Sequence, residues 1–359
     1  MKTVMNRTRG LKLAGTCVVL GALLFTSCKK DKDTVTEQSF DQVNLVASNN
    51  TYTGARVDPN FINGWGIAFS PTGNAWISSE GAGTSVIYDK TGAQVLAAVT
   101  IPTVSASTGG SPTGQVFNSV TTDFIIPSST AAKFIFAGTD GVISAWTAGG
   151  AAVKVIDQSA TAAYTGLALA SDGGNNFLYA ANFKAGKIDV FNKTFTKVSK
   201  PFTDPNLPTG YAPFNIQNVG GQLYVMYAKV DDATGEEQKG AGLGYVDIYN
   251  PDGSFVKRFA SQGSLNAPWG IAQAPAGFIK GNSSVILIGN FGDGHINAFD
   301  LTGNLLGSLH MDGGPVVIDG LWGISFAPSS ATTVDPNWLF FAAGPNDEND
   351  GLFGYIKPE

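Results

Sequence analysis

The stretch Gly244-Tyr245-Val246-Asp247-Ile248-Tyr249-Asn250-Pro251-Asp252-Gly253 carries the pattern that decides the fold. A glycine is followed five positions later by an aromatic residue, and the segment between has the length and composition of a strand. The run ends in Asn-Pro-Asp-Gly, where proline presets φ and glycine accepts the left-handed backbone of a tight turn. The same order recurs at Gly83–Tyr88, Gly141–Trp146, Gly186–Phe191 and Gly294–Phe299, and a sixth copy, Gly351-Leu352-Phe353-Gly354-Tyr355, has its glycine one place late. The six aromatics stand 58, 45, 58, 50 and 56 residues apart, a period that belongs to repeat architectures. Turn signals follow three other copies, at Asp89-Lys90-Thr91-Gly92, Asn192-Lys193-Thr194 and Asp300-Leu301-Thr302-Gly303.

Working outward, a second column precedes the first. Trp65-Gly66-Ile67-Ala68, Trp269-Gly270-Ile271-Ala272 and Trp322-Gly323-Ile324-Ser325 are near-copies, with weaker members at Asn118-Ser119-Val120, Thr165-Gly166-Leu167-Ala168 and Phe214-Asn215-Ile216. Between the columns lies a short apolar run each time, such as Ala75–Ser79, Phe134–Gly138 or Val285–Phe291. A fourth strand usually follows the turn, as at Val95–Ile101 or Phe255–Phe259. Six such units predict an all-β fold, a six-bladed β-propeller of four-stranded antiparallel blades. The sixth unit ends at Glu359 without a fourth strand, while an unpaired strand candidate, Phe40–Ala47, precedes the first unit. The N-terminal strand is therefore expected to complete the last blade and remove the open edge. The 45 glycines among 359 residues fit the many turns that need positive φ.

Residues 1–27 read as a signal peptide. Lys2, Arg7, Arg9 and Lys12 precede an apolar run, Leu13 to Phe25, too short for an easy membrane span. The run closes in Leu24-Phe25-Thr26-Ser27-Cys28, which resembles the lipobox of bacterial lipoproteins with Cys28 as the lipidated residue. Residues 28–39 read as a lipidated, polar tether, and 40–359 as one propeller. Lys29-Lys30-Asp31-Lys32-Asp33 resembles the surface-export signals of Bacteroidetes lipoproteins. The expected location is a bacterial outer membrane, with the chain anchored by lipid and exposed at the surface if that signal acts.

The scarce residues exclude several chemistries. Beyond Cys28 there is no thiol, so disulfides, cysteine nucleophiles and cysteine-ligated zinc are ruled out. Two histidines, His295 and His310, cannot make a three-histidine metal site, and Arg56 and Arg258 alone cannot make an arginine triad. The chain has 22 Lys and Arg against 28 Asp and Glu, and the body without the signal stands at −10 (18 minus 28). That balance opposes nucleic-acid binding, which needs a basic face.

The blade pattern resembles NHL-repeat propellers, six-bladed and TolB-like in broad class. Asp58-Pro59-Asn60 with Asn63-Gly64-Trp65-Gly66, Gly289-Asn290-Phe291-Gly292-Asp293-Gly294, Asp319-Gly320-Leu321-Trp322-Gly323 and Ala343-Gly344-Pro345-Asn346-Asp347-Glu348 look like an uncharacterised family of secreted bacterial propellers. The resemblance covers about residues 40–359 and implies the fold without an assigned activity.

A site is expected at the channel mouth where two sets of loops converge. The ligand-binding candidates are Asn63, Trp65, Glu80, Asn182, Trp269, Asn290, Asp293, Trp322, Asn346 and Asp347. Each has a plainer reading, since Asn and Asp hold turns and Trp before Gly packs. By likeness to lactonase-like six-bladed propellers, Glu80, Asn290, Asp293 and Asp347 form a candidate calcium set. Asp231-Asp232 and Glu236-Glu237 read as a solvated insertion in the fourth blade. The first functional expectation is a monomeric binding module for a glycan or an envelope protein. The alternative is a calcium-dependent hydrolase or lactonase at the mouth.

Overall fold

The computed structural model describes Val35 and residues 38–359. The expected signal peptide, the lipidation site Cys28 and most of the tether lie outside the described residues. Val35 is buried, and the Gln38 side chain bonds to the backbone of Phe278 and Lys280, so the chain is docked before its first strand begins.

Six antiparallel sheets follow the repeat. Their inner strands are Gly64–Phe69, Pro112–Phe117, Tyr164–Asp172, Tyr211–Val219, Pro268–Ala274 and Leu321–Phe326, which define blades 1 to 6. Each inner strand neighbours the next, and that of blade 6 meets that of blade 1, so the ring closes. In blade 6 the outer strand is Phe40–Ala47, paired antiparallel with Leu352–Pro358 from Phe40↔Pro358 to Ala47↔Leu352. The expected closure by the N-terminal strand is what the structure shows, and a short parallel strand, Arg56–Val57, extends that sheet to five strands.

The middle strands of each blade are buried on both faces, which explains their apolar runs, while outer strands such as Gln94–Thr100 and Val153–Asp157 are largely exposed. In the second strand of blade 2, Phe134 and Phe136 pack toward blade 1, while Ile135 and Ala137 pack toward blade 3. The same alternation gives one apolar cluster at each of the six blade interfaces. A seventh cluster lies on the channel axis and contains Trp65, Phe183, Phe214, Trp269, Phe291 and Trp322.

The inner strands share a second device. Each carries a β-bulge near its start, and the shifts fall at Gly64/Ile67, Pro112/Gln115, Tyr164/Gly166, Pro213/Asn215, Pro268/Gly270 and Leu321/Ile324. A bulge re-aims the side chains beside it. The glycine of the Trp-Gly column sits there because neighbouring backbones touch at that level. A Cβ on Gly66 would lie 2.6 Å from the Thr113 carbonyl oxygen, and one on Gly270 would lie 2.6 Å from that of Trp322. Gly114, Gly166 and Gly323 face the next inner strand in the same way. In blade 4 Asn215 takes the glycine position and its amide donates to the Trp269 carbonyl, 2.8 Å away. The expected member of blade 2, Asn118-Ser119-Val120, is corrected by this register. Thr113-Gly114 fills the position, because Gly114 is the residue that meets blade 3.

The close approach gives a stability prediction. Gly323→Ala sets a methyl against the Trp65 carbonyl, whereas Gly150→Ala projects into open space. Chemical denaturation is expected to show a loss of about 1–3 kcal/mol or more for the first, with Gly150→Ala close to the parent protein.

Candidate functional site

The channel has two mouths with different chemistry. Call the upper mouth the end where the chain enters the inner strands. There the bulges turn Trp65, Phe214, Trp269 and Trp322 inward, and they fill the channel. Trp65 stacks on Trp322 with centroids 3.4 Å apart, Trp269 meets both edge-on at 5.8 Å, and Phe291 stacks on the opposite side of Trp322 at 3.8 Å. Trp269 and Trp322 are each 1% exposed and Trp65 6%. All three are therefore packing residues of a plug. The Trp269 indole donates to the Thr165 carbonyl at 2.9 Å and that of Trp322 to Asn63 Oδ1 at 3.0 Å, while Trp65 Nε1 is buried with no partner among the described residues.

Asn63 joins this plug to a carboxylate rim. Its Nδ2 donates to Glu348 Oε2 at 2.7 Å and to Glu80 Oε2 at 3.2 Å. Glu348 is held in place by an unusual turn, in which Asn346, Asp347 and Glu348 all have left-handed backbones (φ 59°, 50° and 65°). Such residues cost about 1 kcal/mol or more apiece and gather at functional sites. The turn is fastened by Glu348 N–H to the Gly344 carbonyl, by Asp350 N–H to the Pro345 carbonyl and by Asn346 N–H to Asp319 Oδ2. Asn346 and Asp347 themselves point to solvent.

The blade 4 loop completes the rim. It runs for 13 residues between Gln222–Val230 and Gly244–Tyr249, against three to eight residues at this position in the other blades. Lys229 and Val230 pair with Gln238 and Glu237, and Gly240 N–H donates to Asn266 Oδ1 of the next blade. Lys239 thereby comes to rest with its ammonium 4.2 Å from the centre of the Phe291 ring. Glu237, expected in a solvated insertion, is instead half-buried on this rim. Burial, then the neighbouring charge of Glu348, pushes its carboxyl up to about 7, although Lys239 opposes the shift. Glu348 is also raised, by burial first and by Glu80 and Glu236, against the Asn63 bond and Lys239.

The remaining candidates are structural fasteners. Asn182 is fully buried, accepting from the N–H groups of Ala163 and Ala185 and donating to Asp189 Oδ2 at 3.0 Å. Asn290 donates to the Ser264 carbonyl at 2.7 Å and to Asp293 Oδ1 at 3.1 Å, and Asp293 also takes the Asn266 amide. The calcium set thus divides into Glu80 on the rim, the Asn290–Asp293 pair, and Asp347 in solvent. Among the described residues no three His, Cys, Asp or Glu side chains converge as metal ligands. No step through a metal follows from these residues.

The lower mouth, at the far ends of the inner strands, opens a cavity of about 650 Å³ lined by five of the six blades. Phe69, Phe117 and Phe326 give it apolar walls, and Gln115, Gln217 and Ser325 supply polar groups. Gln115 is fixed by bonds to the Gly66 and Trp76 carbonyls and from Ser85. None of the lining residues carries an ionisable side chain. Sequence reading missed this cavity because most of its residues are ordinary strand positions and the rest are loop prolines and serines.

No protein-family model matches the chain. Two uncharacterised proteins of Acanthamoeba polyphaga mimivirus are similar to it. One is 37% identical over 334 residues, covering 88% of this chain and 80% of the relative, and the other is 35% identical over 332 residues, covering 88% and 85%. Both are viral proteins, not bacterial lipoproteins. In structure, the chain is similar to a streptogramin B lyase (TM-score 0.51, 13% identity, 89% of this chain and 97% of that one). It is also similar to a protein of unknown function from Bacteroides thetaiotaomicron (TM-score 0.55, 11% identity, 89% and 76%). At such identities the likeness extends to the fold alone, and the fold is the six-bladed propeller.

The raised Glu237 carboxyl has a pH consequence. The native chain holds this proton up to about pH 7, whereas an unfolded Glu loses it near 4.5. Native protein therefore binds more protons between these values, and the stability that protonated Glu237 contributes is lost as pH rises through them. Thermal melts of Glu237→Gln are expected to exceed the parent above about pH 7 and to converge with it below about pH 4.5. A gain of the same size at both ends of that range would show that Glu237 does not titrate this way.

Proposed function

The chain belongs to the family of these two mimivirus proteins, and from that premise we propose that it is a binding module which receives an uncharged, glycan-like ligand in the lower mouth of its channel. The observation that carries the reading is the cavity of about 650 Å³ whose walls combine phenylalanine faces with amide and hydroxyl groups and hold no ionisable side chain. Ligand sites are concave, mostly apolar and set with a few oriented polar groups. Gln217 supports the reading, because its half-buried side chain makes no hydrogen bond among the described residues and so is free to bind. Proton-transfer catalysis needs a titratable group within hydrogen-bond reach of the substrate, and the cavity wall supplies none. Binding therefore fits the site better than hydrolysis does.

The N-terminal residues support a second part of the proposal, that the propeller is displayed at an outer-membrane surface by lipid on Cys28. The lipobox-like Leu24-Phe25-Thr26-Ser27-Cys28 and the Lys/Asp run behind it are the features that favour it. A single chain gives only marginal membrane binding, so stable anchoring takes more than one acyl group.

Screening against neutral oligosaccharides, followed by calorimetry, tests the first part. Phe326→Ala and Gln217→Ala are expected to weaken binding about tenfold each. Affinity should be unchanged between about 50 and 500 mM NaCl, because no charge takes part. Failure of every neutral glycan to bind, or a steep salt dependence, would count against the reading. For the anchor, Cys28→Ser is expected to move the protein from the membrane to the soluble fraction and to abolish acyl mass on the mature N-terminal peptide.

A further inference from the structure

We propose that the upper mouth is a recognition site for a primary ammonium group, and that in this structure the chain's own Lys239 fills it. The floor is aromatic. Phe291 is 2% exposed and lies between two partners, with Trp322 stacked on it at 3.8 Å and the Lys239 ammonium 4.2 Å from its centre. A ring face attracts a cation through its quadrupole, more strongly where water is excluded. The walls are acidic. Lys239 lies within electrostatic reach of Glu237 and Glu348 and acts against the rise of both. Glu348 is fixed by the Asn63 amide at 2.7 Å and by the left-handed turn that carries it.

The supply of the cation is separable from the receptor. The floor and the Glu348 wall come from blades 5 and 6, with Asn63 of blade 1 behind Glu348, whereas Lys239 and Glu237 arrive together on the long blade 4 loop. Lys239 is exposed, and it makes no ion pair within 4.0 Å among the described residues. A tethered group of this kind acts as an internal competitor at high effective concentration. A ligand ammonium reaching Phe291 would displace the Lys239 side chain, while the loop backbone stays fastened by the Gly240 bond to Asn266 and by its pairing with Lys229 and Val230. The site is distinct from the neutral cavity at the other end of the channel, from which the aromatic plug separates it.

The test titrates the full chain and its Lys239→Met variant with 1,5-diaminopentane near pH 8, above the value of about 7 to which Glu237 is raised, by calorimetry, with pentan-1-ol as the neutral counterpart. Methionine keeps an apolar stem over Phe291 and removes the charge. The diamine is expected to bind the variant at least about tenfold more tightly than the parent, since the internal competitor is gone. Adding Glu348→Gln should abolish that gain while retaining the partner of Asn63, and pentan-1-ol should bind neither protein. Circular dichroism confirms folding, and Lys239→Gln serves as the second variant. An absent gain in both Lys239 variants, a gain that survives Glu348→Gln, or an equal gain for pentan-1-ol would overturn the proposal.

Discussion

The backbone contact between successive inner strands is the constraint on which the rest of the structure depends. Six blades converge on one axis, and near the upper end their strands come so close that a Cβ has no room at Gly66, Gly114, Gly166, Gly270 or Gly323. The bulge found at this level in every blade does two things at once. It lets the strands bend around the axis, and it turns the residue beside the glycine into the channel. Where that residue is Trp or Phe, the channel fills. Blades 2 and 3 have Thr113 and Thr165 instead, which leaves room for the larger rings from the other side. Thr165 accepts the Trp269 indole through its carbonyl, and Thr113 bonds the Ala137 and Tyr164 carbonyls, so the small residues serve as ties within the same layer. The plug is thus a consequence of ring geometry acting on a column of side chains.

Much of this was legible in the sequence, for a physical reason. A blade whose middle strands are buried on both faces needs apolar runs, its turns need glycine and asparagine, and these demands repeat with each blade. The Trp-Gly copies, the Gly-to-aromatic spacing and the spare strand Phe40–Ala47 expressed those local needs directly. The missed column in blade 2 is instructive. Thr113-Gly114 lacks the large neighbour that marks Trp65, Trp269 and Trp322, so apolar pattern alone could not find the register, which only the contact of Gly114 with Leu167 fixes. The same limit applies to the site. That Asn63 meets Glu348, 285 residues away, or that Lys239 reaches Phe291, depends on ring closure and loop direction, neither of which leaves a local trace. One signal was present for the loop, its length, since long connections in compact domains are commonly functional.

Two kinds of order meet at Asn63. One side of its amide accepts the indole of Trp322 and so belongs to the plug, while the other donates to two carboxylates and so belongs to the rim. A buried amide satisfied on both sides holds its neighbours in a single arrangement. Asn63 is itself left-handed, at φ 50°, and it abuts Gly344, where a Cβ would strike its Oδ1. The strain at Asn63 and at Asn346, Asp347 and Glu348 is concentrated on this one contact between blades 1 and 6, the blade whose outer strand comes from the N-terminal part of the chain. Ring closure makes that strain tolerable. Asp350, just beyond the turn, accepts bonds from Ser48, Asn49 and Tyr52, and these residues follow directly on the closing strand. The fastening that seals the propeller therefore also fixes the turn that carries Glu348. An independent loop would relax a left-handed run of three non-glycine residues, whereas a loop clamped between the closing strand and the first blade cannot. The chemistry of the upper rim is in this sense set by the topology of the seam, and the neutral lower cavity, lined by regular strand ends away from it, carries no such strain.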